Sequence, residues 1–250
     1  MANPAASLPQ KIKYQLYPLG EAALVVQLGD TISPETFRRV QACARRLAQR
    51  PFPGFLELVP AYTTVTVYFN PLQVSGHCHP TPYHRVARQV EELLQGMEPG
   101  AAPEATEAVM LPVCYGGVFG PDLEFVAQTN QLTPQEVIAL HTQPEYVVYL
   151  IGFAPGFPYL GGMNQRIAAP RRATPRGAIP AGSVGIAGHQ TGVYPLETPG
   201  GWQLIGRTPR ALFRPDSSSP SLLKAGDTVR FYPISEQEFR HWQEGGTHEP

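Results

Sequence analysis

Three arginines within seven residues, "PRRATPR" (Arg171, Arg172 and Arg176), are the first candidates for chemistry. A guanidinium is a planar fork that grips a carboxylate or phosphate through two bonds. Pro170 and Pro175 punctuate the run, so it reads as an ordered loop and an anion clamp. The competing reading is solvated surface charge. Further on, "AGHQTGV" offers His189, Gln190 and Thr191 at a glycine-flanked turn. Upstream, "YLIGFAPGFPYLGG" starts as a strand at Tyr149, Leu150 and Ile151 and then fills with glycine and proline. Glycine and proline interrupt a strand, yet the segment keeps Phe153, Phe157 and Tyr159. Aromatics on such a loop are expected to wall a pocket or meet a partner. Tyr194 and Trp202 offer further walls. Together these residues suit a small anionic ligand. Arg172, Gln190 and His189 are the expected catalytic groups. Phe153, Phe157, Arg171, Arg176, Thr191, Tyr194 and Trp202 are the expected substrate contacts.

Other chemistries find less support. "AGSVG" approaches a nucleophile elbow, but Ala181 replaces its first glycine and no helix follows Ser183. There is no GxxxxGK[ST] phosphate loop and no GxGxxG after a strand. With Lys11, Lys13 and Lys224 as the only lysines, a Ser–Ser–Lys amidase is unsupported. His77, Cys78, His79 and His84 cluster in "HCHPTPYH", too tightly for a structural zinc site, so no metal is expected there. A formal net charge of -1 gives no global attraction to nucleic acid or membrane. Within it, residues 151–220 carry seven arginines against Glu197 and Asp216, so positive charge is concentrated in that stretch. The N-terminal residues lack an apolar signal core, the apolar run at Tyr146–Ala154 is too short to span a bilayer, and the three cysteines show no CxxC spacing. A cytoplasmic location is the expectation.

The elements that must position these residues fall into two groups, residues 1–100 and 108–250. In the first, "IKYQLY" and "AALVVQL" read as strands around a turn at Pro18–Gly20. A helix follows with Ser33 as N-cap, Pro34 at its first position, and Phe37, Val40, Ala44 and Leu47 inward. "FLELV" and the alternating "TTVTVYF" precede a second helix with Val86, Val90 and Leu93 inward and Gly96 as its stop. The order is ββαββα. "MEPGAAPEATEA" reads as a linker. Past Val109, "DLEFVAQ" and "TPQEVIALHT" are helical, the latter with a Thr133–Glu136 capping box. Short strands and tight turns run from Tyr146 to "DTVRFYPI", and Ser235 with Glu238 caps a last helix. Such a pattern argues for closed or sandwiched β-structure. The glycines of "IPAGSVGIAGHQTG" (Gly182, Gly185, Gly188, Gly192) permit close approach by a ligand or by another strand.

"VCYGGVFGPDLEFVA", "YLIGFAPGFPYLGGM", "PRRATPR", "IPAGSVGIAGHQTGVYPLETPGGWQLIGRTP" and "LLKAGDTVRF" resemble the PxpB family of 5-oxoprolinase subunits, also called KipI or allophanate hydrolase subunit 1. Val118 departs from the small or acidic residue expected in "YGGVFGPD". The resemblance implies an α+β chain, a small N-terminal α/β domain followed by a cyclophilin-like β-barrel. It implies a subunit of an enzyme that converts 5-oxo-L-proline to L-glutamate at the expense of ATP with Mg²⁺. It further implies a PxpC or KipA-like protein as direct partner and a PxpA-like protein as a functional one, with no nucleotide site assigned to this chain alone. Two other readings share these motifs: a component of the allophanate and urea amidolyase type, and a KipI-type inhibitor of a histidine kinase.

Overall fold

A computed structural model describes residues 13–74, 80–97 and 107–243. The chain divides into two compact units, residues 1–105 and 106–250. The first holds β1 (Gln15–Pro18), β2 (Ala23–Gln27), α1 (Pro34–Ala48), β3 (Phe55–Pro60), β4 (Thr64–Phe69) and α2 (Pro82–Leu94), the expected ββαββα order. Its sheet is antiparallel in the order β1-β2-β4-β3. Alternation along β4 turns Val65, Val67 and Phe69 to one face, where both helices pack. Ser33 Oγ accepts the Thr36 N–H at 3.1 Å and Pro34 opens α1, as its sequence dictates. Its buried stripe runs Phe37, Val40, Cys43, Leu47, so Cys43 stands where Ala44 was expected. Burial pushes that thiol up to about 12, which makes it an inert core residue. In α2 the stripe is Val86, Val90, Leu94. Leu94 is buried, and Leu93, one position earlier, packs half-buried against the same core. Gly96 stops the chain beyond α2 at φ +69°.

His77, Cys78 and His79 lie outside the described residues. His84 sits in the first turn of α2, its Nδ1 2.8 Å from Oγ1 of the N-cap Thr81.

The second unit contains β5 (Val109–Tyr115), α3 (Leu123–Thr129), α4 (Pro134–Thr142), β6 (Tyr146–Ile151), β7 (Pro158–Gly161), β8 (Arg176–Ile179), β9 (Ser183–Ala187), β10 (Gln190–Val193), β11 (Thr198–Gly200), β12 (Gln203–Arg207), β13 (Thr228–Pro233) and α5 (Glu236–Gln243). Seven strands close a barrel in the order β10-β7-β6-β13-β5-β12-β9, and β9 pairs back to β10. Closure leaves none of these strands with a free edge. Only β5 and β13 pair in parallel within it. Period-two alternation sends Val184, Ile186, Thr191 and Val193 into the filled interior and leaves Gly185, Ala187 and Gly192 on the outer face. The remaining strands, β8 and β11, form a separate two-stranded ribbon. The expected caps are present: Thr133 and Glu136 exchange bonds at α4, and Ser235 with Glu238 does the same at α5. The mixed fold with a β-barrel is therefore the expected one. Among the described residues no helix is long and apolar enough to cross a membrane.

Candidate functional site

The aromatic residues gather outside the barrel wall. Phe157, 1% exposed, is the hub: the rings of Tyr159, Tyr194, Phe153 and Trp202 stand 4.9, 5.1, 5.5 and 5.5 Å from it, tilted or edge-on. This geometry suits aromatic quadrupoles. Two glycines make the packing possible. A Cβ at Gly192 would lie 2.8 Å from the Pro158 carbonyl and 2.9 Å from the Phe157 ring; at Gly200 it would lie 2.5 Å from the Tyr194 hydroxyl. Of the two uses foreseen for the glycines, close approach of chain to chain is the one seen at Gly192.

Between these rings lies a cavity of about 150 Å³, walled by Phe153, Phe157, Tyr159, Tyr194 and Trp202, with Arg171 and the Gly200–Gly201 backbone completing it. Phe153 is 64% exposed and holds φ +71°, a left-handed conformation rare for a bulky side chain. Strain of this kind concentrates at ligand clamps. Burial is the main influence on both phenols of the wall: it pushes Tyr194 up to about 12 and raises Tyr159. At neutral pH both remain protonated. The residues lining this cavity include no carboxylate, imidazole or thiol. The cavity can hold a small ring and an anion, but it brings no general base of its own.

The three arginines part company. Asp122, buried at the N-cap position of α3, does not cap that helix. Its Oδ1 accepts from Arg172 Nη1 at 3.2 Å and Arg176 Nη2 at 2.8 Å, while Oδ2 accepts the Leu204 N–H at 2.7 Å. Arg172 and Arg176, expected on the substrate, are thus engaged by a buried carboxylate that ties "PRRATPR" to β12. Arg171 makes no hydrogen bond or ion pair with any described residue and faces the aromatic cavity. Its backbone is held on both sides: Gln203 Nε2 donates to the Pro170 carbonyl at 2.9 Å, and the Arg172 N–H donates to the Gly201 carbonyl at 2.8 Å. Asp122→Ala is expected to destabilise the chain by about 2–3 kcal/mol. That is less than for a fully buried pair, because both guanidiniums retain contact with water. A denaturant melt within about 0.5 kcal/mol of wild type would show that this network does not hold the loop.

The "HQT" triplet is also divided. His189 is exposed at the tip of the β9–β10 hairpin. Gln190 is half-buried and opposite Ala187 in the register. Thr191, expected beside the substrate, faces the barrel interior instead, because strand alternation puts its neighbour Gly192 outward. The Thr191 hydroxyl donates to the Gly185 carbonyl at 3.0 Å and lies 3.0 Å from His141 Nε2. His141, on α4, is fully buried, with Nδ1 2.8 Å from the Tyr115 hydroxyl. The Thr191 proton is committed to Gly185, so Thr191 accepts from His141 Nε2–H and Nδ1 accepts from Tyr115. Burial lowers the His141 pKa to about 3, so the imidazole is neutral. Among the described residues, no group of three or more His, Cys, Asp or Glu is placed to hold a metal ion.

Asp122 and His141 carry no signal that sequence reasoning picks out. Asp122 lies outside the arginine-rich stretch whose charge stands out. His141 reads as one more polar residue in the last turn of a capped helix.

Residues 14–223 match the family model described as "Carboxyltransferase domain, subdomain C and D". The chain is 52% identical over 237 residues to a Bacillus subtilis strain 168 protein named as the B-type subunit of 5-oxoprolinase, covering 93% of this chain and 98% of that one. It is 42% identical over 221 residues to the protein of the same name from Escherichia coli O157:H7, covering 88% and 96%. The crystal structure of TTHA0988 superimposes with a TM-score of 0.72 at 36% identity, covering 85% of this chain, which spans 40% of that longer one. With matches along almost its whole length, the chain belongs to the PxpB family, the B-type subunits of 5-oxoprolinase, built on carboxyltransferase subdomains C and D.

Proposed function

We propose that this chain is the PxpB subunit of an ATP-dependent 5-oxoprolinase of the cytoplasm, converting 5-oxo-L-proline to L-glutamate only in complex, with a PxpC-type subunit as direct partner and a PxpA-type subunit acting with them. One observation carries the reading: a ring-sized aromatic cavity has an uncommitted guanidinium, Arg171, in its wall. 5-Oxoproline is a small cyclic amide bearing a carboxylate. The aromatic faces would cover the ring and exclude water, and Arg171 would hold the carboxylate. The relatives named as B-type subunits of 5-oxoprolinase support the same reading.

The lactam is resonance-stabilised, so its carbonyl must be activated before water attacks. ATP with Mg²⁺ would supply that activation by phosphorylating the amide oxygen. A cavity of about 150 Å³ is too small for a nucleotide, so the adenosine is assigned to the complex rather than to this cavity. What this chain contributes is binding, orientation and dryness. Because the cavity has no base, the group that activates water is assigned to a partner.

The test is glutamate release from 5-oxoproline and ATP by the PxpA- and PxpC-type subunits, with and without this chain. Release should require the chain, and the chain alone should be inert; turnover by the isolated protein would overturn the shared-site reading. In the complete assay Arg171→Ala should lower kcat/KM about ten- to a hundredfold, the effect of losing one charge-assisted contact of roughly 1.5–3 kcal/mol. Its Tm should stay near wild type. Arg171→Lys should recover only part, since an ammonium lacks the fork.

A further inference from the structure

A second cavity, of about 510 Å³, shares Arg171 with the aromatic one. It is lined by Asp122, Phe125, Arg171, Arg172, Ala173, Thr174 and Gln203. The charge around it does not balance. The loop carries three guanidiniums, Arg171, Arg172 and Arg176, whereas the cavity has one carboxylate, Asp122, which has already accepted three N–H groups across its two oxygens, two of them from Arg172 and Arg176. It makes no bond to Arg171. The two paired guanidiniums are themselves under-bonded: Arg172 Nε and Arg176 Nη1 are buried with no acceptor. An excess of two positive charges therefore remains on side chains that keep contact with water and stay open to an anion from solution.

A carboxylate would neutralise half of that excess. A phosphoryl group carries about −1.5 to −2 near pH 7, with three acceptor oxygens. Donors of the right kind line the cavity: the free Arg171 fork, Arg172, and the Thr174 hydroxyl. The loop is also pre-set. The Gln203–Pro170 and Arg172–Gly201 bonds hold the backbone on either side of Arg171, and the Asp122 pair holds Arg172. Little ordering therefore remains to be done on binding. Gln203 spends its Nε2 on that support, which assigns it to positioning.

We propose that this second cavity is a phosphate subsite, placed so that Arg171 stands between a phosphoryl group and the ring held by the aromatic wall. The inference rests on the proposed function only for the origin of the phosphate. That origin is either the terminal phosphate of the nucleotide or the phosphoryl group released as the ring opens.

The experiment is calorimetric titration of inorganic phosphate into the purified full chain, at constant ionic strength set with sodium chloride. Saturable binding is expected. It should weaken about tenfold or more in Arg171→Ala and in Thr174→Val plus Arg171→Ala, and weaken further as salt rises. Arg214→Ala, at an exposed arginine that lines neither cavity, should bind as wild type does. No saturable phosphate binding by the wild-type chain, or binding that Arg171→Ala leaves unchanged, would overturn the subsite. A second arm repeats the titration in the presence of a non-hydrolysable ATP analogue. Competition that depends on Arg171 assigns the site to a nucleotide phosphate; phosphate binding without competition assigns it to the released phosphoryl group. No 5-oxoproline is used, so a chain that binds phosphate yet fails to support glutamate release would sink the proposed function and leave the subsite standing.

Discussion

Phe157→Ala is expected to lower stability by about 3–5 kcal/mol, the range for truncating a buried aromatic. The ring is 1% exposed and four other rings pack against it. Gly192 has no side chain to move into the void, and the void would open into the cavity already present. This reverses the expectation from sequence that Phe157 serves the ligand or a partner more than the fold. Phe153, four residues earlier on the same loop, should behave in the opposite way. Its ring is mostly exposed, and its positive φ is strained for any L side chain. Phe153→Gly should therefore leave stability unchanged or raise it by up to about 1 kcal/mol, while weakening ligand binding. Denaturant melts of the two variants decide the matter. A Phe157→Ala protein within about 1 kcal/mol of wild type would show that the ring is not core.

Stability should fall as the pH drops below 6.5, because of His141. In the unfolded chain this imidazole titrates near 6.5; in the fold, burial holds it near 3. Between those values the unfolded state binds a proton that the native state refuses, so protons favour unfolding. The contribution is complete above pH 6.5 and is lost progressively toward pH 3. For this group alone the loss is about 2 kcal/mol at pH 5 and about 3 kcal/mol at pH 4. A proton on Nδ1 would also displace the Tyr115 hydroxyl hydrogen that now points at it. His141→Gln removes the titration and some of the bonding, so it should be less stable at pH 7. The gap to wild type should then narrow as pH falls. Carboxylates titrate in both proteins and cancel in the difference. A gap that stays constant from pH 7 to 4.5 would mean that His141 is not held neutral in the fold.

The elements themselves were legible because their signals are local. Ser33 with Pro34, Thr133 with Glu136, and the alternation of "TVTVYF" each act within a few residues. Their structures followed; Cys43 and Leu94 are the more deeply buried, while Ala44 and Leu93 beside them pack half-buried against the same core. The neighbourhood of the site was legible too: the aromatic loop, "PRRATPR", Tyr194 and Trp202 do surround a cavity.

The roles within that neighbourhood were not legible, since each depends on a partner distant in the chain or on a choice of face. Arg172 and Arg176 pair with a carboxylate 50 and 54 residues earlier, and only that pairing distinguishes them from Arg171. Thr191 and Gly192 are adjacent, and strand register alone decides which faces the core. Phe153 and Phe157 are the same residue type on one loop, and only the glycine opposite Phe157 makes room to bury its ring. By itself the sequence determined where strands and helices form and which residue types crowd one region, because those rest on backbone sterics and periodicity. Which arginine stays free, which aromatic is core and which histidine is neutral were decided by tertiary structure, because burial and charge pairing are set by atoms brought together only when the barrel closes.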